Sequence, residues 1–519
     1  MPGTFFGLEI TRRGLQVHRT AMDITGHNVA NANTPGYTRQ EAVITASDPY
    51  CNPTMGTKLL PGQLGTGVEA PMIRRIKNEY LDVQARDSIS SREYWQVQEE
   101  IFGRIEAVFP EPGASGIAST LTKFFNTWHD LNNAPQDPGV KAAVAETGDE
   151  LATMMREAYQ QLDDISGSIL KVDSSNNVTG GQLKDQVDAV NEILRQVREL
   201  TESIKRVYAQ GNQPNDLLDK RDLLLDRLAE YGPVSVTYLT DGGKPTGEIA
   251  LTFFGVDVRA ADVTVGLKPI KVTIVDQSSG KTIEKIEVKL QIGNQPPVPL
   301  TNYPADQPKA GGLAGLEETR ARIDGYIIDQ DSNKKLVEGY KDKLENLAGA
   351  LKDTIYQALN HGHDDVPNNN IPDKLDFFTG SLAGGNFAVD SKIMKDPTLI
   401  DGTNALYVAR LATTGMYGKE TDLGNGVKVT THDLGGATFN EYFNALLADI
   451  GARSGSATDM ADTQRAVAEQ VESLRQSVSG VNLDEELSRL IQYQYGYQAS
   501  ARVLATIDEM LDYLINRTG

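Results

Sequence analysis

Apolar positions at the two extremities of the chain repeat at helical spacing. Near the start, Leu8, Leu15, Met22 and Val29 recur every seven residues, and Ile10, Val17 and Ile24 form a second row on another side of the same predicted helix. Near the end, Leu483, Leu487, Leu490, Tyr497, Ala501, Leu504, Leu511 and Ile515 follow three-and-four spacing, interrupted by Gln494 and Asp508. Val503, Ile507, Met510 and Leu514 widen that stripe. Asn482, with Glu485 three residues on, is the expected cap of this second helix. A helix of roughly 33 residues spends about 1–2 kcal/mol per residue in backbone entropy, which it cannot recover in water without burying an apolar face. The two terminal helices are therefore expected to pair. Pairing covers one stripe on each. The surplus stripe predicts packing against further subunits, or disorder until they arrive.

Between the ends the period changes twice. The segment from Asn28 to Tyr37 closes the first helix, with Pro35 and Gly36 where a type II turn places them. Arg39 to Thr45 reads as a short strand, and the Gly/Pro-rich run from Pro49 to Pro71 as an ordered loop or linker. Helical spacing returns at about Asn78 and runs to Phe109, with no strand expected from residue 50 to 232. Within that stretch Leu121, Phe124, Phe125, Trp128 and Leu131 form one apolar face and Val140, Val144, Thr147, Leu151, Met154, Ala158 and Ile165 the next. Two more helices are expected over Leu183 to Tyr208 and Arg221 to Tyr231. From Pro233 the residues alternate as strands do. Gly311 and Gly312 mark a return to helix, in which Leu316, Ile323, Ile327, Leu336, Tyr340, Leu344, Leu347, Leu351, Ile355 and Leu359 are expected to follow helical periodicity. A helix is expected again from Phe439, and Met460, Gln464, Val467, Val471, Leu474, Val478 and Val481 predict coiled-coil-like packing against the long helices near 78–108 and 181–210.

The predicted fold class is mainly α, with long coiled-coil-like helices from both termini and inserted β domains, in an elongated multidomain chain. Residues 1–60 with 482–519 form the expected terminal helical domain, and 61–232 with 311–361 and 437–481 a helical stem. Residues 233–310 form an inserted β domain and 362–436 a second small mixed or β module.

Charge and chemistry narrow the function. With 50 basic against 71 acidic residues the net charge is −21, which repels nucleic-acid backbones and anionic membrane surfaces. The single cysteine, Cys51, cannot form an internal disulfide framework or a cysteine-built metal site. Glu9, Arg12 and Arg13 interrupt the N-terminal segment where a secretory signal needs an apolar core, so export by the general secretory route is not expected. His361-Gly362-His363-Asp364-Asp365 offers imidazoles and carboxylates to a divalent metal, but ligands two apart on a glycine-containing turn read first as a solvated turn after a helix. His18 and His27 lie on the first helix with no nucleophile framework around them and read as surface or subunit contacts. None of the phosphate-binding loop, zinc-protease, nucleophile-elbow or dinucleotide motifs is present. The sequence therefore predicts no catalytic, cofactor-binding or metal residue.

The turn from Asn28 to Tyr37 and the start of the C-terminal helix at Asn482 resemble the flagellar axial protein family, and within it the hook-associated proteins of the hook–filament junction. Gly26-His27-Asn28-Val29-Ala30-Asn31-Ala32-Asn33-Thr34-Pro35-Gly36-Tyr37 is similar to the segment shared by rod, hook and hook-associated proteins, and Thr38-Arg39-Gln40 to its hook-associated version. Gly480 to Glu486, Leu490 to Gln494 and Tyr497 to Ala499 resemble the C-terminal end of the junction family, as do Asn215 to Asp222 and Gly311 to Leu313 in the interior. The resemblance implies a non-enzymatic structural adaptor between hook and filament, without cofactor. It would be exported through the flagellar type III system and located in the extracellular flagellum. Implied partners are further copies of itself, the hook protein, a second junction protein or flagellin, and a cytoplasmic export chaperone holding the C-terminal helix. Assembly would use Leu8, Leu15, Met22, Val29, Ile10, Val17, Ile24, Asn28, Asn31, Asn33, Pro35, Gly36 and Tyr37 at one end. At the other end, assembly and chaperone binding would use Leu483, Leu487, Leu490, Tyr497, Leu504, Ile507, Met510, Leu511 and Leu514. A hook or rod subunit is the neighbouring alternative, and an exported adhesin or enzyme carried by the inserted domains the distant one.

Overall fold

The computed structural model describes residues 6–49, 65–110, 116–260, 262–275, 282–300, 310–330, 333–361 and 374–517. The chain divides into two units: Met1–Ser90 with Val190–Val263 and Arg465–Gly519, and Ser91–Ala189 with Thr264–Gln464.

In the first unit, helix α1 (Phe6–Ala30) packs against helix α12 (Leu483–Arg517), so the two ends of the sequence pair. A two-stranded antiparallel ribbon, β1 (Gln40–Ala46) with β2 (Val68–Arg75), lies on α1. Helix α6 (Asn215–Tyr231) leads into the antiparallel sheet β5–β6–β7, made of Val234–Asp241, Lys244–Phe253 and Val256–Asp257. The unit also holds the first part of α2 (Glu79–Val108) and the last parts of α5 (Gln182–Ala209) and α11 (Phe439–Ser479).

The second unit is built on helices α3 (Ile117–Asn133) and α4 (Pro138–Ile169), the latter capped by Asp137, whose carboxylate accepts the Gly139 N–H at 2.8 Å. Leu121, Phe124, Phe125, Trp128 and Leu131 are all buried, as their spacing requires. Phe124 and Trp128 meet Phe377 with ring centroids 5.7 and 5.3 Å away, and Phe378 stacks on Phe387 at 5.1 Å. Part of 362–436 thus supplies core aromatics rather than a detachable appendage. Its described elements are short: strands β13 to β16 (Phe378–Thr379, Ala388–Val389, Glu420–Asp422, Lys428–Thr430) and helices α9 (Ser391–Lys395) and α10 (Ala405–Arg410). Helix α7 (Gly312–Asp324) is buried almost all round; a Cβ at Gly315 would lie 2.7 Å from the Tyr94 carbonyl oxygen. Arg320 on α7 grips Glu317 on the same helix and donates to the Ile286 carbonyl at 2.9 Å. Ile286 belongs to the antiparallel sheet β8–β9–β10, made of Val265–Val275, Thr282–Ile292 and Val298–Pro299. Helix α8 (Tyr340–Leu359) buries Leu344, Leu347, Leu351, Ile355 and Leu359 as expected.

Several local expectations change. The stretch after residue 50 contains strand β2, and the hairpin β3–β4 (Lys171–Val172 with Val178–Gly180) follows α4. The β2 signal is weak because the ribbon is largely exposed, and Pro71 falls where the pairing register shifts, a place that needs no ladder N–H. Ile327 and Leu336 lie not in a helix but in the hairpin β11–β12 (Tyr326–Gln330 with Asn333–Val337), because Gly325, at φ 88°, ends α7. On α11 the row Val467, Leu474 and Val478 is exposed, while the buried row is Ala457, Ala461 and Ala468. Composition groups 233–310 together, whereas β5–β7 belong to the first unit and β8–β10 to the second.

Candidate assembly interface

The α1–α12 seam is made of small and polar residues. Along α1 the buried positions are Thr11, Gly14, Val17, Ala21, Thr25 and Asn28. A Cβ at Gly7 would sit 3.3 Å from Ile507 Cδ1, one at Gly14 3.2 Å from Ser500 Oγ, and one at Gly496 2.5 Å from the His18 ring. These pairs advance one residue up α1 for one residue down α12, as an antiparallel seam in fixed register must. Glycines opposite Ile507, Ser500 and His18 let the two backbones approach closely there, and most of the larger apolar side chains of both helices stay half-buried or exposed.

At the top of the seam Asn28, 1% exposed, uses its whole side-chain amide. Its Nδ2 donates to the Gln40 carbonyl at 2.9 Å and to Glu486 Oε2 at 2.8 Å. Its Oδ1 accepts the Gln40 N–H at 3.0 Å and the Tyr37 hydroxyl at 2.8 Å. One side chain therefore ties helix, turn, strand and C-terminal helix together. The turn itself is type II: Gly36 has φ 76° and Tyr37 N–H donates to the Thr34 carbonyl at 3.1 Å. Burial, reinforced by Asp216, Asp219 and Glu486, raises the Tyr37 hydroxyl pKa and keeps it a proton donor. Asn482 caps α12 by accepting the Asp484 N–H at 3.0 Å, while Glu485 turns to Arg39 at 3.0 Å.

The Asn215 to Asp222 motif anchors the same turn and ribbon. Asn215 Nδ2 donates to Gln40 Oε1 at 3.0 Å, Gln40 Nε2 to Asp216 at 2.9 Å, and the Thr38 N–H to Asp219 at 3.0 Å. Arg75 on β2 bridges Asp219 at 2.9 Å and Asp222 at 2.8 Å, and Lys77 reaches Asp222 at 3.0 Å. Burial would raise the Asp222 carboxyl, but Lys77, Arg75 and Arg86 outweigh it and hold it below the usual carboxylate range. Asp226, one turn on, joins Arg86 of α2 at 2.9 Å and Arg475 of α11 at 2.6 Å. Between this network and the turn runs a polar cleft of about 780 Å³ walled by Pro35, Gly36, Arg39, Arg475 and Gly480.

Of the residues proposed from sequence for assembly, Val17 and Asn28 are buried; Leu8, Ile10, Leu15, Met22, Ile24, Val29, Asn31 and Tyr37 are half-buried, and Asn33, Pro35 and Gly36 exposed. On α12, Leu490, Leu504, Ile507 and Leu511 are half-buried, whereas Leu483, Leu487 and Met510 are 47, 48 and 61% exposed, with Tyr497 exposed as well. Ile491, which no heptad row singled out, is 51% exposed beside Leu487. The Leu514 and Ile515 side chains lie outside the described residues, as do Cys51 and Gly362 to Asp365. His361 ends α8 with its ring 6.3 Å from Tyr407. Among the described residues no group of three or more His, Cys, Asp or Glu is placed to hold a metal, and no helix is long and apolar enough to cross a membrane. Sequence reasoning missed the roles of Gln40, Asp226 and Glu486; an uncharged or acidic residue at a seam position was the available signal.

The profile of the flagellar hook-associated protein FlgK helical domain matches residues 102–371, just over half of the chain. Those of the flagella basal body rod protein and of the flagellar basal body rod FlgEFG protein C-terminal segment match 8–38 and 474–517. The chain is 29% identical to flagellar hook-associated protein 1 of Bacillus subtilis, over 100% of its own length and 99% of the relative's. It is 26% identical to flagellar hook-associated protein 1 of Escherichia coli, over 97% and 98%. The solved flagellar hook junction protein FlgK of Burkholderia pseudomallei superposes with a TM-score of 0.52 at 12% identity, covering 76% of this chain and all of that one, which establishes a likeness of fold.

Proposed function

Because the chain belongs to the family of the flagellar hook-associated protein FlgK, we infer that it is a structural subunit joining hook to filament, assembled through its paired terminal helices. The observation that carries this reading is the outward face of α12. Leu483, Leu487, Ile491 and Met510 stay about half exposed or more, although α12 already has α1 as a partner. A well-ordered helix seldom leaves so much apolar surface to water unless another molecule covers it.

Several finer points belong to the same proposal. The covering partners are further copies of this chain, the hook protein below, and a second junction protein or flagellin above. Before export through the flagellar type III channel a cytoplasmic chaperone holds the α12 stripe, and neither nucleic acid nor membrane takes part. The protein has no catalytic role and its place is the extracellular flagellum. The paired termini within 1–60 and 482–519 act as the terminal domain, whose outward face is covered only by neighbours.

The test is a chain carrying Leu483→Ser, Leu487→Ser and Ile491→Ser, expressed in cells lacking the native protein. These side chains are exposed, so the variant is expected to fold, and with Leu504, Ile507 and Leu511 left for the chaperone it is expected to be secreted, while filaments detach and motility is lost. Normal filament retention by the secreted variant refutes the assignment of this face.

A further inference from the structure

His18 stands at the tightest point of the α1–α12 seam. Its ring lies flat enough on Gly496 that a Cβ there would come within 2.5–2.9 Å of three of its atoms. Its Nδ1 is buried and has no hydrogen-bond partner among the described residues. In the neutral ring that nitrogen is a bare acceptor, and leaving it unpaired is tolerable; in the imidazolium it carries a buried N–H that faces no acceptor among the described residues. The ring that packs here is therefore the neutral one.

The charged groups nearby do nothing to favour the cation. The ring's aromatic neighbour on α12 is Tyr493, at 6.4 Å between centroids. Around Tyr493 stand Arg489 and Glu486 of α12 and Glu41 of β1. Glu41 pairs with Arg489 at 3.8 Å and with Arg74 of β2 at 3.3 Å, and Glu486 is held by Asn28 at 2.8 Å. None of these makes a bond to His18.

We propose that the α1–α12 seam is an acid-sensitive latch, opened when His18 takes up a proton and its ring leaves Gly496. The direction follows from linkage. Burial lowers the His18 pKa from its ordinary value, so the paired state keeps its full stability above the open-state value of about 6.5 and loses it as pH falls through the lower paired-state value. A junction built on this seam is correspondingly weakened by mild acid. The inference concerns the pairing of the two helices and stands whether or not the outward face of α12 does what is proposed above.

The experiment uses the full chain with Cys51→Ser and spin labels on Arg19→Cys and Gln498→Cys, both exposed positions. Pulsed electron–electron distance measurements read the fraction of molecules with the short, paired distance. Between pH 7.5 and 5.0 that fraction is expected to fall several-fold with His18 and to stay constant with His18→Gln, which has no titrating ring. Gly496→Ala, which forces the ring out, is expected to lower the fraction at both pH values. An equal fall with and without His18, no fall at all, or no short distance at pH 7.5 overturns the proposal.

Discussion

Replacing Asn28 by alanine removes four hydrogen bonds from a site that water does not reach. The Gln40 N–H loses its acceptor at 3.0 Å, an orphaned buried donor costing about 1–3 kcal/mol. Glu486 loses its donor at 2.8 Å while its other oxygen already lacks a partner among the described residues, and a charged group left so costs about as much again or more. The Tyr37 hydroxyl can still turn to His27, 3.0 Å away, and is counted as free of cost. The loss is thus about 2–6 kcal/mol, and even the low end speeds opening by about thirtyfold. Hydrogen exchange of the Gln40 amide, followed by mass spectrometry on a peptide spanning the turn and β1, reads this directly, with a peptide from α4 as internal reference. Asn28→Asp separates geometry from charge: it keeps the acceptor but sets a carboxylate 2.8 Å from Glu486, a repulsion of about 6 kcal/mol at an effective dielectric of 20. The aspartate variant is expected to exchange at least as fast as the alanine one. If Gln40 exchange rises less than tenfold in both, or rises equally in α4, the assignment of Asn28 as the common tie is wrong.

Three further outcomes follow from the same network and from the second unit. Asp226→Ala leaves Arg86 and Arg475 without their shared partner and is expected to cost about 3–5 kcal/mol in the opening energy of α6 by hydrogen exchange; converting both arginines to methionine as well is expected to recover much of it. Gly315→Ala drives a methyl to 2.7 Å from the Tyr94 carbonyl oxygen, so it is expected to destabilise the second unit by about 1–3 kcal/mol in calorimetry, despite alanine's better helix propensity. Asp222 is held below its ordinary pKa, so its contribution is complete above the unfolded value of about 3.9 and lost as pH falls through the lower folded value. The stability difference between the native chain and Asp222→Asn should accordingly stay flat from pH 7 to about 4.5 and shrink only below that.

The helices and their apolar faces were largely legible because 3.6-residue periodicity survives wherever one side is wet and the other dry, as in α3 and α8. The pairing of the two ends was legible for the same reason, but its seam was not. Leucine rows advertise themselves, whereas Gly7, Gly14, Ala21 and Gly496 carry no such signal and matter through what they lack. Periodicity also merged the β11–β12 hairpin into a helix, since Ile327 and Leu336 fit either period and only the positive φ of Gly325 decides. The buried ties at Gln40, Asp226 and Glu486 depend on partners 12 to 458 residues away in sequence, a separation that no local pattern encodes.

The bond from Asn28 to Glu486 spans 458 positions. Closing so large a loop in one step would cost roughly 5 kcal/mol of chain entropy by the logarithmic rule, and the Gln40–Asp216 and Asp226–Arg475 bonds shorten it in stages. A polypeptide that emerges beginning first therefore carries its opening segment unfinished until the first turn of α12 has arrived. Completion of this tie reports that the chain has been delivered as far as α12, and a chain cut short anywhere before residue 486 cannot counterfeit that signal.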